Sequence, residues 1–327
     1  MRAICIRGFG GVDRLGLEEL PDPEPAAGEA LIEVALGGVN FTDTQLLAAG
    51  VQSTVVQDAA PRRLTDADLP VIPGAEVVGT DDTGRRVVAF CGSGGYAERV
   101  CATRDRVFGI PDGLSDAAAL ALFVQGLTAL YLCRVSARIE RGESVVVHGA
   151  AGGVGSIAVQ LAKLAGAGRV IATASTEKKR ELALSLGADV AIDSTDETLA
   201  ERLVRANGGS RVDVVLEMVG GAVLAESLAA LARFGRLVVY GSASGQPADV
   251  ATRSFVIGSR SLVGFWLLDY FGDMQAVGDS LGELFRLAAE GQVEPVLGPT
   301  FPLAEAAEAH RAVARRDVVG KILLDPR

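Results

Sequence analysis

The apolar run Val145-Val146-Val147 leads into His148-Gly149-Ala150-Ala151-Gly152-Gly153-Val154-Gly155, and a helix-forming segment follows over 156–165. A buried strand, a glycine turn and a helix in immediate succession make one unit of a doubly wound parallel sheet. They also make a site for a dinucleotide pyrophosphate. Glycine lets the backbone approach the phosphates with no Cβ in the way, and the first turn of the helix offers unpaired N–H groups to the charge. Ala150 occupies the first position of the usual G-x-G-x-x-G pattern, so the reading rests on this context as well as on the glycines. The turn assigns Ala151, Gly152, Gly153 and Val154 to the pyrophosphate.

The next strand selects the cofactor. Residues 170–175 read as a short buried strand, ending about 20 residues past the turn, where NAD enzymes place an acid on the ribose hydroxyls. No acid stands there. The chain continues Ser175-Thr176-Glu177-Lys178-Lys179-Arg180, with hydroxyls and three cations. A carboxylate would repel a 2′-phosphate, whereas a hydroxyl and an ammonium bind it. The pattern predicts NADPH, with Ser175 and Lys179 at the 2′-phosphate.

At 327 residues the chain is long enough for two domains. Its net charge of −10 and pI near 4.9 argue against nucleic acid or an anionic membrane as partner. The N-terminus reads as a strand with no apolar signal core. No apolar run approaches the ~18 residues of a membrane span. Four cysteines, Cys5, Cys91, Cys101 and Cys133, are scattered without C-x-x-C spacing. That predicts a reducing, cytoplasmic setting with neither a disulfide framework nor a zinc cluster.

The first third reads as short strands and turns. From about residue 116 the texture changes to an Ala/Leu-rich helix over 116–133, then to alternating strands and helices. Strands are predicted at 144–148, 169–174, 190–192, 212–217, 237–240 and 261–264. Helices are predicted at 157–165, 178–186, 198–205 and 222–230. The tail reads as helices at 275–289 and 303–314 and a last strand at 320–324.

Taken together, Gly38-Val39-Asn40-Phe41-Thr42-Asp43, Pro73-Gly74-Ala75-Glu76-Val77-Val78-Gly79, Gln125-Gly126-Leu127-Thr128-Ala129, the glycine turn, Leu186-Gly187-Ala188-Asp189 and Gly320-Lys321-Ile322-Leu323-Leu324 carry a resemblance. In order and spacing the chain resembles the medium-chain dehydrogenase/reductase superfamily, in its zinc-independent quinone oxidoreductase and enoyl reductase branch (zeta-crystallin-like). The resemblance implies an α/β fold: a Rossmann doubly wound parallel sheet, 119–264, inserted into a GroES-like β-rich catalytic domain, 1–118 and 265–327. In the zinc-dependent branch a Cys occupies the place of Asn40 and a His that of Ala75, and neither Asn nor Ala replaces those ligands. The resemblance therefore implies no metal.

It further implies hydride transfer from NADPH to a quinone or another α,β-unsaturated carbonyl, an enone or an enoyl thioester. Asn40 and Thr128 would lie by the nicotinamide as catalytic residues, Asn40 donating a hydrogen bond to substrate or cofactor. Tyr240, Ser242, Phe265 and Leu267 would complete the cofactor site, and a homodimer would form through paired edge strands. The alternative within the same fold is an NADPH-binding protein with little turnover.

Three departures stand out. Gln45 and Val51 replace tyrosines common in the branch. The segment 51–69, with Pro61-Arg62-Arg63, is longer than expected and falls where substrate enters. Residues 80–85 shorten to a tight hairpin.

Overall fold

Strands that are apolar along nearly their whole length must be covered on both faces, and the second half of the chain builds a sheet whose three central strands are of that kind. The computed structural model describes residues 1–52, 62–194 and 198–327. It divides into two units, residues 125–269 with 290–295, and residues 1–124 with 270–289 and 296–327.

The first of these carries a six-stranded parallel sheet. In spatial order its strands are Val190–Asp193, Arg169–Ala174, Ser144–Val147, Val212–Glu217, Leu231–Val239 and Ser261–Gly264. The chain starts at Ser144–Val147, steps outward twice on one side, then returns to build the other side. That reversal makes the carboxyl end of Ser144–Val147 the switch point, where ligands of such sheets bind. Val146, Ile171, Val215 and Leu237 of the strands form one buried cluster with Leu199, Leu203, Leu224 and Leu228 of the helices. Each such side chain contributes about 1.5–3 kcal/mol on burial.

The other unit is built on a seven-stranded sheet, largely antiparallel. Leu297–Pro302 pairs in parallel with Lys321–Asp325, which runs antiparallel to the central strand Glu29–Val39. Glu29–Val39 then pairs with Glu76–Asp81, which pairs with Arg86–Phe90, and that strand with Val107–Gly109. Arg99–Thr103 also joins Glu29–Val39. Leu297–Pro302 has no counterpart in the sequence reading: Gly298, Pro299 and Pro302 break any strand pattern, and prolines are tolerated because this is an edge strand. The expected tight turn at 80–85 is present, with the Asp81 carboxylate accepting from the Thr83 and Arg85 N–H groups and the Thr83 hydroxyl.

The apolar segment near 116–133 is helical over Asp116–Ser136 but alternates α and π turns, with π stretches at Leu122–Gly126 and Leu132–Ser136. The helix expected at 116–133 is present, but the expectation that no apolar run approaches the length of a membrane span is corrected. By length and hydropathy alone this 21-residue helix could cross a membrane, although 78% of its apolar window is buried inside the protein. Its two charges, Asp116 and Arg134, stand near its ends. Residues 53–61 of the 51–69 segment lie outside the described residues.

Candidate active site

The residues expected to bind the cofactor lie at or just beyond the carboxyl ends of the parallel strands. Gly152 is the N-cap of the 12-residue helix Gly153–Leu164, with no side chain capping it and no acid in the first turn. Its orphan N–H groups and its dipole are therefore left for an anion. Gly155 allows the close packing of helix on strand: a Cβ there would lie 2.3 Å from the Gly149 carbonyl oxygen. A Cβ on Gly153 would lie 2.8 Å from Gln125 Cγ, and one on Gly152 would meet only the Gly149 carbonyl, at 3.2 Å. Ala151 is buried, and Val154 is half-buried beside the glycines.

One strand over, Ser175 is exposed just beyond Arg169–Ala174. Thr176 caps the helix Glu177–Ser185, its hydroxyl accepting from Lys179 N–H at 3.4 Å. Arg180 donates to the Ala174 carbonyl and pairs with Asp193, so its charge is committed. Lys179 stands on the first turn of that helix. On the far side of the switch point, Tyr240 N–H bonds to the Glu217 carbonyl and Phe265 N–H to the Val239 carbonyl. Burial, then the Glu217 charge, pushes the Tyr240 hydroxyl up. Ser242 is exposed, whereas Phe265 and Leu267 are buried. Thr128 is buried in the α-helical turn Leu127–Tyr131.

In the other unit, Asn40 closes the strand Glu29–Val39 and opens the helix Phe41–Ala49. Register explains its surroundings. Ile322 faces Val39 and Val77 faces Gly37, so Lys321 and Glu76 come beside the end of the central strand from its two neighbours. Lys321 Nζ forms an ion pair with Glu76 Oε1 and donates to Asn40 Oδ1 at 3.0 Å. Asn40 Nδ2 donates to the same Glu76 oxygen at 3.0 Å, and Val124 N–H donates to Glu76 Oε2 at 3.2 Å. Lys321 and Glu76 are 1% and 0% exposed, a complete burial of both charges. Gly38 makes the room, since a Cβ there would lie 2.8 Å from both Glu76 Cγ and Lys321 Nζ.

A second buried chain joins this cluster. Asn40 N–H donates to Asp43 Oδ2 at 2.8 Å, and the Tyr96 hydroxyl donates to the same oxygen at 3.1 Å. Tyr96 has one hydrogen, so its 3.2 Å contact with His310 Nε2 requires the imidazole to donate. Burial pushes the Asp43 carboxyl up to about 6, against the Asn40 N–H and the Lys321 charge. Burial holds His310 down at about 4.

Sequence reasoning singled out Asn40 but not the residues that bond its side chain. The signal was present: Glu76 and Lys321 each open a strand and lead directly into apolar residues, Val77-Val78 and Ile322-Leu323-Leu324, and charges in such surroundings are buried only when paired.

The family described as zinc-binding dehydrogenase matches residues 153–283. A 2-haloacrylate reductase from Burkholderia sp is 31% identical over 99% of this chain and 98% of its own length. The chain belongs to the quinone oxidoreductase family of medium-chain dehydrogenases/reductases. Among solved structures, the quinone oxidoreductase of Thermus thermophilus, also determined in complex with NADPH, is 37% identical with a TM-score of 0.85, covering 99% of this chain and 100% of that one. The Escherichia coli quinone oxidoreductase complexed with NADPH is 30% identical, with a TM-score of 0.89 and 100% coverage of both. This member of the family is an enzyme of the oxidoreductase class.

The zinc in the matching family's description does not fit these residues. The Asn40 carboxamide is bound to a buried ammonium and carboxylate. Ala75 has no donor, and His148 and His310 are buried in separate networks. No group of three or more His, Cys, Asp or Glu suited to a metal occurs among the described residues.

Proposed function

We infer that the protein is an NADPH-dependent oxidoreductase that reduces a quinone or another α,β-unsaturated carbonyl without a metal. The observation that carries this reading is the uncapped, acid-free helix N-terminus behind Gly152 at the switch point, next to a strand end with Ser175 and Lys179 in place of an acid. The Gly152–Gly153 backbone would hold the pyrophosphate, Ser175 and Lys179 the 2′-phosphate, and Tyr240, Ser242, Phe265 and Leu267 the nicotinamide end. When bound, NADPH supplies hydride chemistry. A conjugated carbonyl suits it because the charge left by hydride addition spreads onto oxygen, so no Lewis acid is needed. Asn40 and Thr128 would orient the acceptor.

The test is NADPH consumption against quinones, enones and enoyl thioesters, with products identified. Turnover of one class names the substrate. Bound but unoxidised NADPH across the whole panel would overturn the assignment in favour of a binding protein.

Lys179→Ala is expected to raise the NADPH dissociation constant about tenfold, the loss of one charge-assisted hydrogen bond, and to leave that of NADH unchanged. An equal loss for both cofactors would move the 2′-phosphate site elsewhere.

The edge strand Ser261–Gly264, with Leu262 exposed, supports a homodimer built by pairing of that edge. Sedimentation at the mass of a single chain would exclude it. Scattered reduced cysteines and acidic charge support a cytoplasmic protein that binds neither nucleic acid nor membrane. Fractionation with membranes, or a salt-sensitive gel shift, would contradict this.

A further inference from the structure

A buried Lys–Glu pair is a poor device for stability, because desolvating both charges offsets their attraction and apolar residues of similar size usually serve as well. The pair Lys321–Glu76 nevertheless takes up the ends of two strands and requires a glycine at position 38 to clear its path. Its other contacts explain what it does. Lys321 donates to the oxygen of the Asn40 carboxamide, and Glu76 accepts from the nitrogen.

A carboxamide is nearly symmetric in shape, so packing alone does not decide which end is which. Charge does. Turned over, Asn40 would set its NH2 group against an ammonium and its oxygen against a carboxylate, both repulsive at about 3 Å in a buried site.

We propose that Lys321 and Glu76 are positioning residues that lock the Asn40 carboxamide in one orientation. The proposal rests on the reading of Asn40 as a residue that touches substrate or nicotinamide.

Asn40 and Asn207 are the two asparagines of the chain, so protein labelled with ¹⁵N-asparagine gives two side-chain NH2 signals. Asn40→Ala identifies which belongs to Asn40. The decisive variant is Glu76→Gln/Lys321→Met, which removes both charges together and leaves no unpaired ion. Its Asn40 signal is expected to broaden or double as both orientations are sampled. Its kcat with 1,4-benzoquinone and saturating NADPH is expected to fall at least tenfold, with the melting temperature and NADPH affinity held. Asn40→Ala should lower kcat about 100-fold, and adding it to the double variant should give no more than Asn40→Ala alone, as expected of residues acting through one another.

An Asn40 signal unchanged in the double variant would overturn the proposal whatever the activity. A changed signal with wild-type kcat in Asn40→Ala would overturn the reading of Asn40 beneath it. For an acceptor the protein does not turn over, the labelled signal decides alone.

Discussion

Gly152→Val is expected to abolish binding of NADPH and NADH alike while the protein stays folded. Gly152 has φ −80° and ψ 176°, backbone that valine adopts without strain. Within the chain its new Cβ would meet only the Gly149 carbonyl oxygen, at 3.2 Å, which a shift of a few tenths of an ångström relieves. Replacing an N-cap glycine with a β-branched residue costs about 1 kcal/mol. The two valine methyls instead fill the space in front of the helix N-terminus, where the pyrophosphate must approach. Two or more charge-assisted backbone hydrogen bonds at about 1.5–3 kcal/mol each would be lost, a fall in affinity of about 100-fold or more. Fluorescence titration with both cofactors, beside a melting curve, measures this. Binding that survives in a folded variant would show that the turn does not cradle the phosphates. Gly155→Val makes a poor substitute, because its Cβ would lie 2.3 Å from backbone and the turn itself would fail.

The contrast between these glycines shows what a sequence reveals. The parallel sheet was legible because its strands are short apolar runs between turn signals, and the three central ones are buried along almost their whole length. The glycine turn was legible because strand, turn and helix adjoin in the chain. Asn40 could be placed, but its partners could not. Lys321 is 281 residues away from it, and only the register of three neighbouring strands brings them together. The π turns that flank Thr128 were invisible for a different reason: an α-helix and one widened by π turns have the same apolar composition. Leu297–Pro302 was missed because edge strands escape the rules for central ones.

His148 offers the sharpest pH prediction, since its hydrogen bonds fix its state. Ser227 spends its one hydroxyl hydrogen on the Val223 carbonyl, at 2.7 Å, so at 2.8 Å it accepts from His148 Nε2–H. His148 Nδ1 then accepts from the Thr173 hydroxyl at 2.9 Å. The imidazole is neutral, fully buried, and satisfied at both nitrogens. Burial holds it at about 4, against about 6.5 in the unfolded chain. Between those values the unfolded state binds the extra proton, so His148 withdraws stability as pH falls from 6.5 and has withdrawn all of it by about 4. The difference corresponds to about 3 kcal/mol. Asp43, pushed up to about 6, works in the opposite direction over the same range. His310, also held down at about 4, adds to the effect of His148. The unfolding of the wild type alone therefore does not isolate His148, and a difference measurement does. His148→Gln keeps a donor and an acceptor without a titrating group. Its unfolding free energy relative to the wild type, from denaturant titrations at pH 7, 5.5 and 4, is expected to rise by about 3 kcal/mol as pH falls. A difference that stays flat across that range would mean that His148 titrates alike in folded and unfolded chains, and that the Thr173–His148–Ser227 chain does not hold the imidazole neutral.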